Sequence, residues 1–491
     1  MMISKKLCVV CCSLFLSATL WAQKPLSDDL QQQVNQIAAT IKDDPSSAMK
    51  AFDELTKGKN KKNVALVVAI GNAFLDNDKV DQAKSYAAKA KDMDNRNAEY
   101  WVLAGDIALK EKKVGEAGSS YEQAILFDKD NFEAYSKYAR LYLGVNPELS
   151  VEKLLEFKGR HPEEVNVNRE LGNAYYQMKQ YGNAKTAYDA FMQVGTPDEQ
   201  DYARYSNLLF LSKDYAESLE TATKGLALNP EDHLMKRLLM YNNFELKKYP
   251  EGVAAAEKFF AVEDTTNFVY LDYMYYGRLL LAQKQDTKAL EQYNKALALD
   301  PNGEHPEIQK ELSGVYEGML NYPAAIDSYK KYLEQAKSEE VTDLFMLGRL
   351  YYMAASAPET NANPADTTAT GISTVKAGYI AEADTIFAQV AERVPDSYLG
   401  SFWRARVNSL ADPETTLGLA KPYYEQALAI LEANPNSAPA NIVECLRYLG
   451  YYYVVKEEYE SSMPYWNKVL EISPDDAAAK QVMEFVTNAT K

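Results

Sequence analysis

A self-similarity of about 34 residues constrains this chain more than any other feature. The residues Gly71, Gly105, Ala139, Gly172, Ser206, Met240, Gly277, Ser313, Gly348, Ala405 and Gly450 occupy one register, at separations of 34, 34, 33, 34, 34, 37, 36, 35, 57 and 45. Around this register the same residue types recur. One unit runs Trp101, Ala104, Gly105, Ala108, Ala117, Tyr121 and Ala124; another runs Tyr276, Gly277, Leu280, Ala289, Tyr293, Ala296 and Pro301. Small residues allow two helices to approach closely, aromatics fill the space between them, and proline stops the second helix. A unit this short must stack on its neighbours to bury its apolar face, so an array is expected rather than one compact core. The interval of 57 implies an insertion between Met353 and Lys376; that of 45 reflects the Asp412-Pro413-Glu414 loop and a longer turn at Asn434-Pro435.

The pattern resembles the tetratricopeptide repeat (TPR), with its Trp-x2-Leu-Gly-x2-Tyr signature followed by Ala, an aromatic and Pro. Asn168 and Lys236 stand at the Trp position and Met240 at the Gly position, so two units are degenerate. The resemblance implies an all-α chain, a right-handed superhelical α-solenoid of about twelve TPR-like helix pairs, with a concave groove lined by first helices. The expected organisation is a signal peptide over 1–22, a degenerate helix pair over 23–62, a repeat array over 63–353, a flexible inserted loop over 354–376, a second array over 377–474 and a capping helix over 475–491.

Lys5 and Lys6 precede an apolar run from Leu7 to Leu20, too short to span a bilayer comfortably and suited to a secretory signal cut after Ala22. Three of the four cysteines lie in that run. Cys445 would therefore remain alone, without an intramolecular disulfide, in an apolar helical pattern that favours a buried, inert thiol. A periplasmic or secreted location follows as an expectation.

With 53 basic and 70 acidic residues the chain has a formal charge of −17, which disfavours nucleic acid and anionic membranes as ligands. No nucleophile, zinc, phosphate-loop or dinucleotide motif occurs in the mature chain. His161, His233 and His305 fall near unit junctions, too far apart along an array to share a metal, and read as surface turn residues. No catalytic residue, metal or cofactor is expected.

By resemblance, the fifth and ninth positions of each first helix face the groove. In the eleven units from residue 63 onward these positions hold eight basic side chains and one acidic one, including seven of the chain's twelve arginines. The candidate ligand-binding residues are Arg140, Arg169, Asn173, Asn207, Arg237, Tyr241, Arg278, Lys310, Arg349, Arg406 and Arg447. Arginine's planar fork suits carboxylates, and Arg with aromatics is the composition of interface cores. Asn173 and Asn207 sit one repeat apart, as asparagines do in the family's carboxylate-clamp members, although the clamp's lysines have no counterparts in those two units. The same pattern also fits a second reading, in which each arginine pairs with Glu or Asp of the adjacent repeat. The expected function is a non-enzymatic protein-protein interaction scaffold of the cell envelope, binding acidic or C-terminal peptide segments. The alternative is a glycan-binding accessory protein of the outer membrane.

Overall fold

The computed structural model describes residues 26–261, 266–358 and 372–489, and the expected signal segment lies outside them. Among these residues twenty-five α-helices follow one another. The chain divides into two compact units, one ending at Met235 and the other starting at Lys236.

The first unit holds α1 (Asp28–Ala38), α2 (Pro45–Leu55), α3 (Val64–Asp76), α4 (Val80–Met93), α5 (Ala98–Lys110), α6 (Val114–Phe127), α7 (Phe132–Tyr142), α8 (Pro147–Arg160), α9 (Asn166–Gln177), α10 (Tyr181–Val194), α11 (Glu199–Leu211) and α12 (Tyr215–Leu228). From α3 onward consecutive helices pair, α3 with α4, α5 with α6, through to α11 with α12. The first helices of successive pairs also touch directly, α3 with α5, α5 with α7 and α7 with α9.

The boundary falls within α13 (His233–Glu245). The second unit continues with α14 (Tyr249–Phe260), α15 (Tyr270–Ala282), α16 (Asp286–Ala298), α17 (Glu307–Gly318), α18 (Tyr322–Ala336), α19 (Val341–Ser356), α20 (Thr374–Arg393), α21 (Tyr398–Ala411), α22 (Lys421–Ala433), α23 (Pro439–Val455), α24 (Tyr459–Ile472) and α25 (Ala477–Ala489). The helical, repeated architecture expected from the period is thus what the residues form. Most of the expected inserted loop lies outside the described residues. Its described ends are shorter than expected, because α19 runs on to Ser356 and α20 begins at Thr374.

Local chemistry repeats with the period. Asn63, Asn97 and Asn131, each 34 residues from the next, cap α3, α5 and α7, their side-chain oxygens accepting the backbone N–H of Leu66, Tyr100 and Ala134 at 3.0, 2.7 and 2.9 Å. The turn inside a pair is equally regular. Lys112, Lys179, Lys213, Lys247 and Lys284 adopt left-handed backbone, with φ of 62°, 57°, 65°, 59° and 58°. The following N–H closes the helix end, as Lys113 does on the Ala108 carbonyl at 2.8 Å.

The small position works as its spacing implies. A Cβ on Gly172 would stand 2.5 Å from the Tyr188 ring, and one on Gly277 would stand 2.7 Å from the Tyr293 ring. In both pairs the ring lies sixteen residues after the glycine and is 0–1% exposed. Gly450 and Trp466 repeat that spacing; Gly348 meets Phe387 thirty-nine residues on, because the insertion falls between the partners. The buried aromatics and alanines form apolar clusters that run on through consecutive pairs, one from α5 to α10 and another from α15 to α17, each buried ring contributing about 2 kcal/mol. Cys445 lies in a further such cluster, free and buried, and burial pushes its thiol up to about 12.

Candidate binding groove

The eight basic residues singled out by register are all engaged with carboxylates. Arg140 meets Glu170 (Nε to Oε2, 3.0 Å), Arg169 meets Asp201 (2.6 Å) and Asp198, and Arg278 meets Glu311 (2.9 Å). Arg237 takes both oxygens of Asp272, and Arg406 both oxygens of Glu444, the latter at 2.7 Å each. Lys310 reaches Asp343 at 3.0 Å, Arg447 reaches Asp476 at 3.0 Å, and Arg349 turns back to Glu317 of the preceding pair at 2.9 Å. Every one of these links joins neighbouring pairs, or the last pair to α25. That arrangement is the second of the two readings the sequence leaves open.

Three links share a register. A basic residue at the fifth position of a first helix (Arg169, Arg237, Lys310) bonds an aspartate at the third position of the next (Asp201, Asp272, Asp343). These aspartates are 0%, 0% and 7% exposed. A buried carboxylate is tolerated only when paired and fully hydrogen-bonded, and these are. Asp272 accepts from Tyr241 at 2.7 Å and from the Val269 N–H at 2.9 Å besides Arg237. Asp343 accepts from Ser338, Lys310, Tyr332 and Tyr329. Burial pushes its carboxyl up, but those four donors outweigh it and hold it at about 2. At Asp201 burial wins, and its carboxyl rises despite Arg169.

The other three candidates divide. Tyr241 is 4% exposed, stacked on Tyr275 at 3.9 Å between ring centroids, so it belongs to the core rather than to a surface. Asn207 donates its amide to the Tyr176 hydroxyl at 2.6 Å. The Asn173 oxygen accepts from Tyr188 at 2.6 Å and from Arg204 at 3.2 Å.

What the structure does bring together is Arg140, Arg169 and Asn173. With Tyr176, Gln200 and Arg204 they line an open cavity of about 530 Å³ in the first unit, where first helices α7, α9 and α11 supply the walls. Glu170 also lines it but is held by Arg140, and Arg169 is committed to its two aspartates. Arg204 differs. It meets the Asn173 oxygen, and no carboxylate lies within ion-pair distance among the described residues. A register limited to the fifth and ninth positions passes over it. Arg204 is at the sixth, and positions two, six and nine of a helix lie on one face, four and three residues apart. Among the described residues no group of three or more His, Cys, Asp or Glu could hold a metal ion.

Residues 68–136 match the family model described as Tetratricopeptide repeat. The repeat there is of the tetratricopeptide type. Among solved structures, the C-terminal part of a TPR repeat-containing protein from Cytophaga hutchinsonii is similar at 25% identity, covering 57% of this chain and 98% of that one with a TM-score of 0.46. PilF of Pseudomonas aeruginosa is similar at 18% identity, covering 41% and 92%, with a TM-score of 0.37. A tetratricopeptide repeat protein from Parabacteroides merdae is similar at 20% identity, covering 51% and 98%, with a TM-score of 0.33. No curated protein matches the chain. No helix among the described residues is long and apolar enough to cross a membrane.

Proposed function

We propose that the protein is a non-enzymatic scaffold of the bacterial cell envelope that holds partner proteins through acidic or C-terminal peptide segments. The observation that carries this reading is the cavity of the first unit, whose walls present Arg140, Arg169 and Arg204 and whose Arg204 has no carboxylate of its own. A carboxylate entering it meets a guanidinium fork and the amides of Gln177 and Gln200, the donor set such a group prefers. The paired arginines elsewhere support the same reading from the other side, since they fix neighbouring repeats and leave the surface geometry rigid. Export rests on the basic and apolar pattern of the first 22 residues. A photo-crosslinking residue at exposed Gln177, in cells producing the full-length protein, tests this. The expected result is a discrete adduct in the periplasmic fraction that an acidic peptide competes away, and none from exposed Leu228. No adduct at Gln177, or adducts indifferent to the peptide, would overturn it.

A further inference from the structure

The first unit contains a second cavity, of about 320 Å³, and its character is opposite. Val68 and Val102 form an apolar wall with Leu26, while Asn72, Glu99 and Glu133 present polar atoms. Glu133 is bonded to Lys137 at 2.9 Å. Glu99 has neither ion pair nor hydrogen bond among the described residues. Burial, Glu133 and Asp128 raise its carboxyl above the usual range, so a cation beside it is favoured twice, by charge and by relief of that repulsion. An apolar wall below a carboxylate suits a lysine or arginine side chain, stem on the valines and head on the glutamate.

The two cavities open on one surface. Glu133 lines the acidic one and Arg140 the basic one, and both lie on α7 seven residues apart, two turns along the same face. The acidic cavity is walled by α3 and α5, with Glu99 on α5, and the basic one by α9 and α11, with Arg204 on α11; α7 lines both. Three interhelical steps of about 8–10 Å, from α5 through α7 and α9 to α11, separate Glu99 from Arg204 by about 27 Å, which an extended chain crosses in about eight residues.

We infer that this face takes one extended peptide segment in a fixed direction, with a basic side chain against Glu99 and Glu133 and a carboxylate about eight residues away against Arg204. The inference rests on the scaffold reading and adds the partner's charge pattern and spacing. It also answers the acidity of the whole chain, because a segment carrying both signs is not repelled by the outer surface as a purely acidic one is.

The test is fluorescence anisotropy of the full mature chain with labelled eleven-residue peptides of Ser, Gly and Ala that carry one Lys and one Glu. The expected result is binding about tenfold tighter when the two charges are eight positions apart than when they are two apart. Arg204→Gln abolishes the advantage of Glu over Gln in the peptide and leaves the advantage of Lys over Ala. Glu99→Gln does the reverse. Both side chains lack ion-pair partners, and an unchanged circular dichroism melt checks the fold of each variant. Equal binding of all spacings, no binding at millimolar peptide, or loss of both advantages in either variant overturns the inference. If Gln177 still crosslinks a competable partner while the peptide series is flat, the scaffold reading stands and only the charge pattern fails.

Discussion

Arg237 holds Asp272 by two hydrogen bonds, Nε to Oδ1 at 2.6 Å and Nη2 to Oδ2 at 2.8 Å, and Asp272 is fully buried at the start of the next first helix. Thirty-five residues separate them, so the bond ties one repeat to the next. Arg237→Ala strands that carboxylate and is expected to cost the second unit about 3 kcal/mol, read as a lower urea midpoint. Lys110→Ala, which breaks only an exposed pair with Asp78, leaves the midpoint where it is.

Glycine at the small position is a steric demand, and two alanine substitutions of opposite sign test it. Gly277→Ala places a methyl 2.7 Å from the Tyr293 ring and is expected to destabilise by about 1–3 kcal/mol despite alanine's better helix propensity. Gly314 lies inside α17, where an added Cβ would meet nothing within 4 Å, and the same change there gains about 0.5–1 kcal/mol. Thermal melts of the two variants should move in opposite directions.

How much of this is legible in the sequence follows from what a period can encode. The spacing of Gly277 and Tyr293, the interruption after Gly348 and the final helix from Ala477 are visible as intervals, because helix contacts inside a pair are local in sequence. The fate of the arginines is not. Arg169 and Asp201 are 32 residues apart, and a column of arginines reads identically whether its charges face a ligand or a neighbour's carboxylate. Tyr241 reads as a groove residue on register alone, while the hydroxyl of a core tyrosine bonded to Asp272 leaves no mark in the pattern. Arg204 escapes a register read only at the fifth and ninth positions because it stands at the sixth, and its lack of an acidic partner exists only in three dimensions.

The left-handed lysines imply a stabilisation available by design. A non-glycine residue in that backbone costs about 1–2 kcal/mol, partly offset by glycine's greater freedom in the unfolded chain. Lys112→Gly and Lys213→Gly are each expected to raise the melting temperature, by a net of about 0.5–1 kcal/mol. Lys→Ala at the same sites, which keeps the strain, should not.

Asp343 predicts an acid-sensitive joint. Its carboxyl titrates at about 2 in the folded chain against an ordinary 3.8, so the folded state binds its proton less readily than the unfolded state does. The resulting stabilisation, about 2 kcal/mol, is complete above about pH 5 and is lost as pH falls through 4 towards 2. Asp343→Asn should flatten the stability-pH curve of the second unit in that window and nowhere above it.

Arg278 is bonded to Glu311 of the next repeat while Arg204, with no carboxylate of its own, is proposed to meet a partner, and a paired measurement on Arg278→Gln and Arg204→Gln tests that division most directly. For each variant the melting temperature and the affinity for the charge-spaced peptide are recorded together. Arg278→Gln should lower the melt and leave the affinity intact, since its guanidinium is spent on Glu311. Arg204→Gln should leave the melt intact and weaken binding about tenfold. The opposite pairing, a stability loss at Arg204 with binding unchanged, would contradict it.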